Sequence, residues 1–153
     1  MMAIRRGLRD WLLAEDADPS VRLRVLRDLL DRPEAHPEVV RARKEIGRKG
    51  WAAKILREQH PRGQWSTSGT SASELYRPKY VATNRRLLVL SDMGLTKKHP
   101  QIAKGMDLLV RRRFLPAGEL GRRGSEVCIT GNAVRLLLRF GYTNHPHLKP
   151  AID

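Results

Sequence analysis

The sequence predicts an all-α fold built of repeated helical hairpins, and three observations carry that prediction. Apolar residues recur at helical spacing along most of the chain, with no convincing period-two strand. Proline opens the helical segments and glycine closes them. Two blocks also match one another at an offset of about 46 to 47 residues. A repeat of that length made of helix pairs stacks into an α-α superhelix or toroid.

The elements follow in order. Residues 3–14 read as a first helix. Asp18 precedes Pro19, which makes Asp18 an N-cap and Pro19 a first helical residue. The helix that follows places Val21, Val25, Leu26, Leu29 and Leu30 on one face. A second start at Pro37 gives apolar positions Val39, Val40 and Ile46, with Gly47 near the stop. "GWAAKILREQ" centres on Ile55 and Leu56. "KYVATNRRLLVLSDMG" ends at Gly94, a C-terminal cap, and a new helix starts at Pro100. "CITGNAVRLLLRFG" ends at Gly141, and Pro146 opens one more helix.

The last four segments contain the repeat. Thr83 aligns with Thr130, Leu87 with Val134, Leu90 with Leu137, Met93 with Phe140 and Gly94 with Gly141. With one loop residue dropped, His99-Pro100 aligns with His145-Pro146, Ile102 with Leu148 and Asp107 with Asp153. The helices before the glycine stops are apolar on most sides, as in Leu87 to Leu90, and read as an inner layer. The proline-initiated helices are more polar and read as an outer layer. His36, His99 and His145 each precede a proline at a helix start, which points to a structural role such as capping.

Composition bounds the function. Lys and Arg number 30 against 16 Asp and Glu, a net charge of +14, and Arg supplies most of it. Such a field attracts acidic partners, anionic ligands or nucleic acid. The arginines are spread along helices beside acids rather than gathered in one block, which favours solvated helix faces. Apolar runs are too short to span a bilayer, and the N-terminus is too charged for a secretory signal. A single cysteine, Cys128, fits a reducing compartment, so a cytoplasmic location is expected. Hydrophobic residues at 41% of 153 are enough for one domain over residues 1–153 with a single core.

One motif stands apart. Gln59, Gly63 and Trp65 in "QHPRGQW" fit Gln-x-x-x-Gly-x-Trp, just after a helix. Gly63 permits a sharp turn, the Gln amide can bond to backbone groups at helix ends, and Trp can cover the corner. The stretch resembles the Gln-Trp repeat of the squalene cyclase and protein prenyltransferase superfamily. The blocks from about Trp11 to Asp153 look like an uncharacterised squalene-cyclase-like branch. The resemblance implies part of an α/α toroid, about half a ring, in which the motif ties an outer helix to the next inner one. The half-ring length implies a fragment of a longer design or a missing surface supplied by a second subunit, and so self-association.

The resemblance carries little activity with it. A second Gln-Trp block is due after Asp107, but "RRRFLPAGELG" offers neither Trp nor a clear Gln. The Asp-x-Asp-Asp acid of class II terpene cyclases is absent, and the one Asp-x-Asp, Asp16 and Asp18, sits where a helix cap is expected. Prenyltransferase β-subunits hold zinc through Asp, Cys and His. Here Cys128, His145, His147 and Asp153 lack metal-ligand spacing, so no metal or other cofactor is expected, and Cys128 reads as a small buried residue. If a toroid cavity exists, the inner-helix starts would face it, offering Tyr80, Thr83, Asn84 and Arg85, then Cys128, Thr130 and Asn132. These ends, with Arg86 and Arg135 nearby, could hold an anion such as a diphosphate. Alternatively Thr83 and Thr130 are caps. The "GRRGSE" loop, residues 121–126, is a basic turn and not a Walker loop. No catalytic residue can be named.

The expected function is therefore a non-catalytic binding or scaffold module, acting as a homodimer or with an acidic protein partner. The alternatives are a cyclase-like or transferase-like binder of isoprenoid or lipid diphosphates, and a nonspecific nucleic-acid binder through its basic surface.

Overall fold

The computed structural model describes residues 6–65, 69–71, 73–113 and 127–152, with the side chains of Arg113 and Val127 left out. All regular structure among them is helical and no strand occurs. The helices are α1 (Arg6–Leu12), α2 (Pro19–Arg24), α3 (Pro37–Ile46), α4 (Gly50–Arg57), α5 (Thr83–Asp92), α6 (Pro100–Arg113) and α7 (Val127–Phe140). A π-helical turn, Val25–Leu29, continues α2, and a 3-10 turn, Lys149–Ala151, follows α7. The chain divides into two compact units, Met1–Arg57 and Glu58–Asp153. Among the described residues no helix is long and apolar enough to cross a membrane.

In the first unit α2 packs chiefly on α3. Asp18 caps α2 as expected, accepting the Ser20 N–H at 2.9 Å. The same carboxylate accepts the Trp51 N–H at 2.8 Å, so its other oxygen serves the start of α4. Burial alone would push the Asp18 carboxyl up. Hydrogen bonds from the Ser20 hydroxyl and the N–H groups of Trp51, Ser20 and Val21 outweigh it and hold the group below its ordinary range. An Arg22–Glu45 ion pair, mostly shielded from solvent, ties α2 to α3.

The expected apolar face of α2 needs correction. Leu23 is fully buried, with Val25 and Leu26, whereas Val21 and Leu29 are exposed. The buried stripe runs Pro19, Leu23, Leu26, at i, i+4 and i+7. The wide turn from Val25 then brings Val25 inward and rotates Leu29 out to 49% exposure. In α3 the buried positions are Val39, Ala42 and Ile46, and Val40 is only half-buried.

In the second unit α5 packs against both α6 and α7. The C-terminal ends of α5 and α7 lie together. The Lys97 N–H, just after α5, donates to the Phe140 carbonyl at 3.1 Å, and Arg135 of α7 pairs with Asp92 at 2.6 Å. The core of this unit holds Trp65, Leu75, Leu87, Leu90, Ile102, Met106, Leu109, Leu136, Leu137 and Phe140.

The aligned glycines do the same work. Gly94 has φ +94° and Gly141 has φ +85°, left-handed values that any side chain resists. One residue on, the Leu95 N–H donates to the Leu90 carbonyl at 3.2 Å and the Tyr142 N–H to the Leu137 carbonyl at 2.8 Å. These are equivalent 6→1 closures in the two copies. The next turn is copied as well, with His99 N–H on the Thr96 carbonyl and His145 N–H on the Tyr142 carbonyl, both at 3.0 Å.

Two helix boundaries differ from expectation. The fourth predicted helix begins at Thr83, not at Lys79. Residues 79–82 form a turn on Pro78, whose carbonyl accepts the Ala82 N–H at 3.0 Å. The Asn84 N–H then bonds the Leu75 carbonyl at 2.9 Å, fixing the helix start. The helix expected at Pro146 is only a 3-10 turn over Lys149–Ala151. Pro150 has no N–H to give the Pro146 carbonyl, so an α-helical turn cannot close there.

Candidate functional site

The Gln59–Trp65 corner is the most fully built feature of the second unit. Gln59 Nε2 donates to the Gly63 carbonyl at 3.0 Å and to the Gln101 carbonyl at 2.9 Å. One amide thus closes its own turn and binds the first turn of α6. Gly63, at φ +98°, lies so close to α6 that a Cβ would meet the Lys104 carbonyl oxygen at 3.0 Å. Trp65 is fully buried. Its ring lies over Gly105, where a Cβ would meet Trp65 Cζ3 at 2.8 Å. Its N–H donates to Thr83 Oγ1 at 3.0 Å. The corner therefore joins the chain after α4 to the start of α5 and the first two turns of α6, in line with the chemistry read from the motif.

That geometry decides where the predicted ligand residues lie. Thr83 is fully buried and its hydroxyl accepts from Trp65, so it does not cap its own helix; the N-cap position is Ala82. Asn84 is also buried. Tyr80 is 75% exposed and Arg85 is exposed, on the other side of that start. Arg86 pairs with Glu58 at 2.6 Å. In the second copy α7 begins at Val127, three residues ahead of the position aligned with Thr83. Thr130 and Asn132 therefore lie inside the helix, half-buried, rather than at its cap. Cys128 is exposed, not buried as expected, because the helix carries it past its start into solvent. The expected cluster is thus split: Thr83 and Asn84 belong to the core, and Tyr80, Arg85 and Cys128 to the surface. The "GRRGSE" loop lies outside the described residues.

The histidines before proline carry partial caps. His36 Nδ1 accepts the Glu38 N–H and His145 Nδ1 the His147 N–H, each at 3.3 Å. His99 does not repeat this; its Nδ1 is buried with no hydrogen-bond partner. Burial lowers the His99 pKa, and burial together with the neighbouring His147 lowers that of His145. Among the described residues no group of three His, Cys, Asp or Glu side chains is placed to hold a metal.

A cavity of about 590 Å³ opens elsewhere in the second unit, lined by Arg62, Thr70, Leu108, Arg111 and Arg112. None of these was singled out in the sequence. Two signals were available: Arg62 sits within the Gln-x-x-x-Gly-x-Trp turn, and Arg111 and Arg112 belong to a run of three arginines.

No protein-family model matches the chain, and no curated protein or solved structure matches it.

Proposed function

We propose that the chain is a non-catalytic binding or scaffold module, built of α-α hairpins in an arrangement like that of terpenoid cyclases and protein prenyltransferases. It works as a homodimer or on an acidic protein partner. The observation that carries the reading is the use made of Thr83. A side chain positioned to meet a ligand is instead buried and bonded to Trp65, so the start of α5 serves the scaffold. The duplicated glycine corners and the shared C-terminal end of α5 and α7 support a repeat of helix pairs. The net charge of +14 favours acidic partners.

Light scattering on a sizing column at moderate salt, paired with titration of farnesyl diphosphate, tests this reading. The expected result is a mass of twice 17.5 kDa and no saturable uptake of the diphosphate. A monomer that binds it with one-to-one stoichiometry would replace the scaffold reading with that of a cyclase-like or transferase-like ligand binder.

A further inference from the structure

We propose that the cavity formed by Arg62, Thr70, Leu108, Arg111 and Arg112 is a binding site for a phosphoryl oxyanion, free or carried on a small molecule. Three guanidinium-bearing side chains and one hydroxyl line a single cavity. They come from three separate places in the chain: the Gln-Trp turn, the segment at residues 69–71, and the last turn of α6. Guanidinium groups are rigid forks that match phosphate oxygens two at a time, and a threonine hydroxyl donates a further hydrogen bond. Leu108, buried at 6% exposure, supplies an apolar wall.

The nearby carboxylates do not cancel this charge. Asp107 pairs with Arg111 along the helix at 2.5 Å, and both side chains are well exposed. Such a pair is weak and gives way readily to a doubly charged ligand. Glu74 lies near enough to Arg62 to feel its charge, but its carboxylate is bonded to the Ser71 hydroxyl and N–H. Arg112 has no acidic partner among the described residues. The carbonyl end of α6 explains a cation in its last turn. It does not explain why Arg62 and Thr70 meet the same cavity. The Gln59–Trp65 corner holds Arg62 against α6 through Gln59 and Gly63, so the site sits on the most rigidly bonded part of the unit. This inference does not depend on the repeat reading.

The test is calorimetric titration of the full chain with inorganic pyrophosphate and, separately, with phenyl phosphate, at near-physiological ionic strength. Arg62→Gln and Arg112→Gln are compared with Arg32→Gln, an exposed arginine of the first unit that controls for net charge. One saturable site is expected, weakened about tenfold or more by either cavity substitution and unchanged by the control. Binding of both probes would point to a phosphoryl group on a small molecule, and binding of pyrophosphate alone to a free inorganic anion. Circular dichroism of each variant separates loss of the site from loss of the fold. Equal weakening by all three substitutions, or uptake without saturation, would overturn the proposal, because overall charge would then be the cause. Binding only to a single-stranded oligonucleotide would overturn it too, in favour of a nucleic-acid surface.

Discussion

The corner after α5 and the corner after α7 use the same bonds, yet only the first leads into a long helix. Each has a left-handed glycine, a 6→1 closure and a His-Pro start. Beyond the first, α6 runs from Pro100 to Arg113 and buries Ile102, Met106 and Leu109. Beyond the second there is one buried side chain, Leu148, and a 3-10 turn. The difference lies in what the following segment rests on. The start of α6 is held by Gln59 at the Gln101 carbonyl, by Gly63 against Lys104 and by Trp65 on Gly105. No such block meets the segment after Pro146 among the described residues. Corner chemistry is local, whereas helix length needs a surface to cover.

The strongest way to break this comparison is to remove that surface. Trp65→Ala should destabilise the second unit by about 3–5 kcal/mol, the range for emptying a buried aromatic site. Urea unfolding followed by far-ultraviolet dichroism would show it. A loss under about 1 kcal/mol would mean that α6 does not depend on the Trp. Gln59→Leu keeps the bulk but leaves the Gly63 and Gln101 carbonyls short of a donor. It should cost about 1–3 kcal/mol in the same assay.

Exchanging the glycines sharpens the contrast. Gly94→Ala should lower global stability by about 1–2 kcal/mol, since the left-handed turn must be kept to hold α6. Gly141→Ala meets the same backbone strain. It can relieve that strain by loosening residues 142–152 alone, so its global cost should be smaller. Amide exchange would then quicken at Tyr142 and Leu148 while α6 stays protected. Equal global losses would show that the second corner is as deeply embedded as the first.

The smallest effect is one of pH. The folded pKa values of His99 and His145 are lowered from 6.5, so the fold favours their neutral forms. Below 6.5 the unfolded chain takes up these protons first. Their contribution to stability is therefore complete above 6.5 and falls as pH drops through and below that value. His99→Gln should flatten the midpoint-versus-pH curve between pH 7 and pH 5 (roughly the span of His titration). An unchanged slope would exclude His99 as a source.

Much of the fold was legible in the sequence, because its signals are local. Proline starts, glycine stops and the Asp18 cap depend on neighbouring residues and emerge as read. The Gln-x-x-x-Gly-x-Trp spacing also foretold the bonds of the corner, since each member has a fixed chemical role. What escaped depends on tertiary setting. The π turn at Val25 alters which residues of α2 face inward, and no residue type announces it. The start of α5 is set by the Leu75 carbonyl and Trp65, both distant in sequence. The candidate ligand residues were grouped by aligning helix starts, but α7 starts three residues earlier than that alignment implies. This moves Thr130 into the helix and Cys128 to the surface.

Asp18 and Gly50 constrain the order in which this sequence can drift. A side chain at position 50 would place its Cβ 2.1 Å from Asp18 Oδ2, the oxygen that receives the Trp51 N–H. A lineage that changes Gly50 first meets a collision and loses the shared cap at once. One that changes Asp18 first loses only the hydrogen bonds, and position 50 then answers only to its φ of +69°, which asparagine tolerates. Of the two routes between the same pair of end sequences, only the second passes through a workable intermediate.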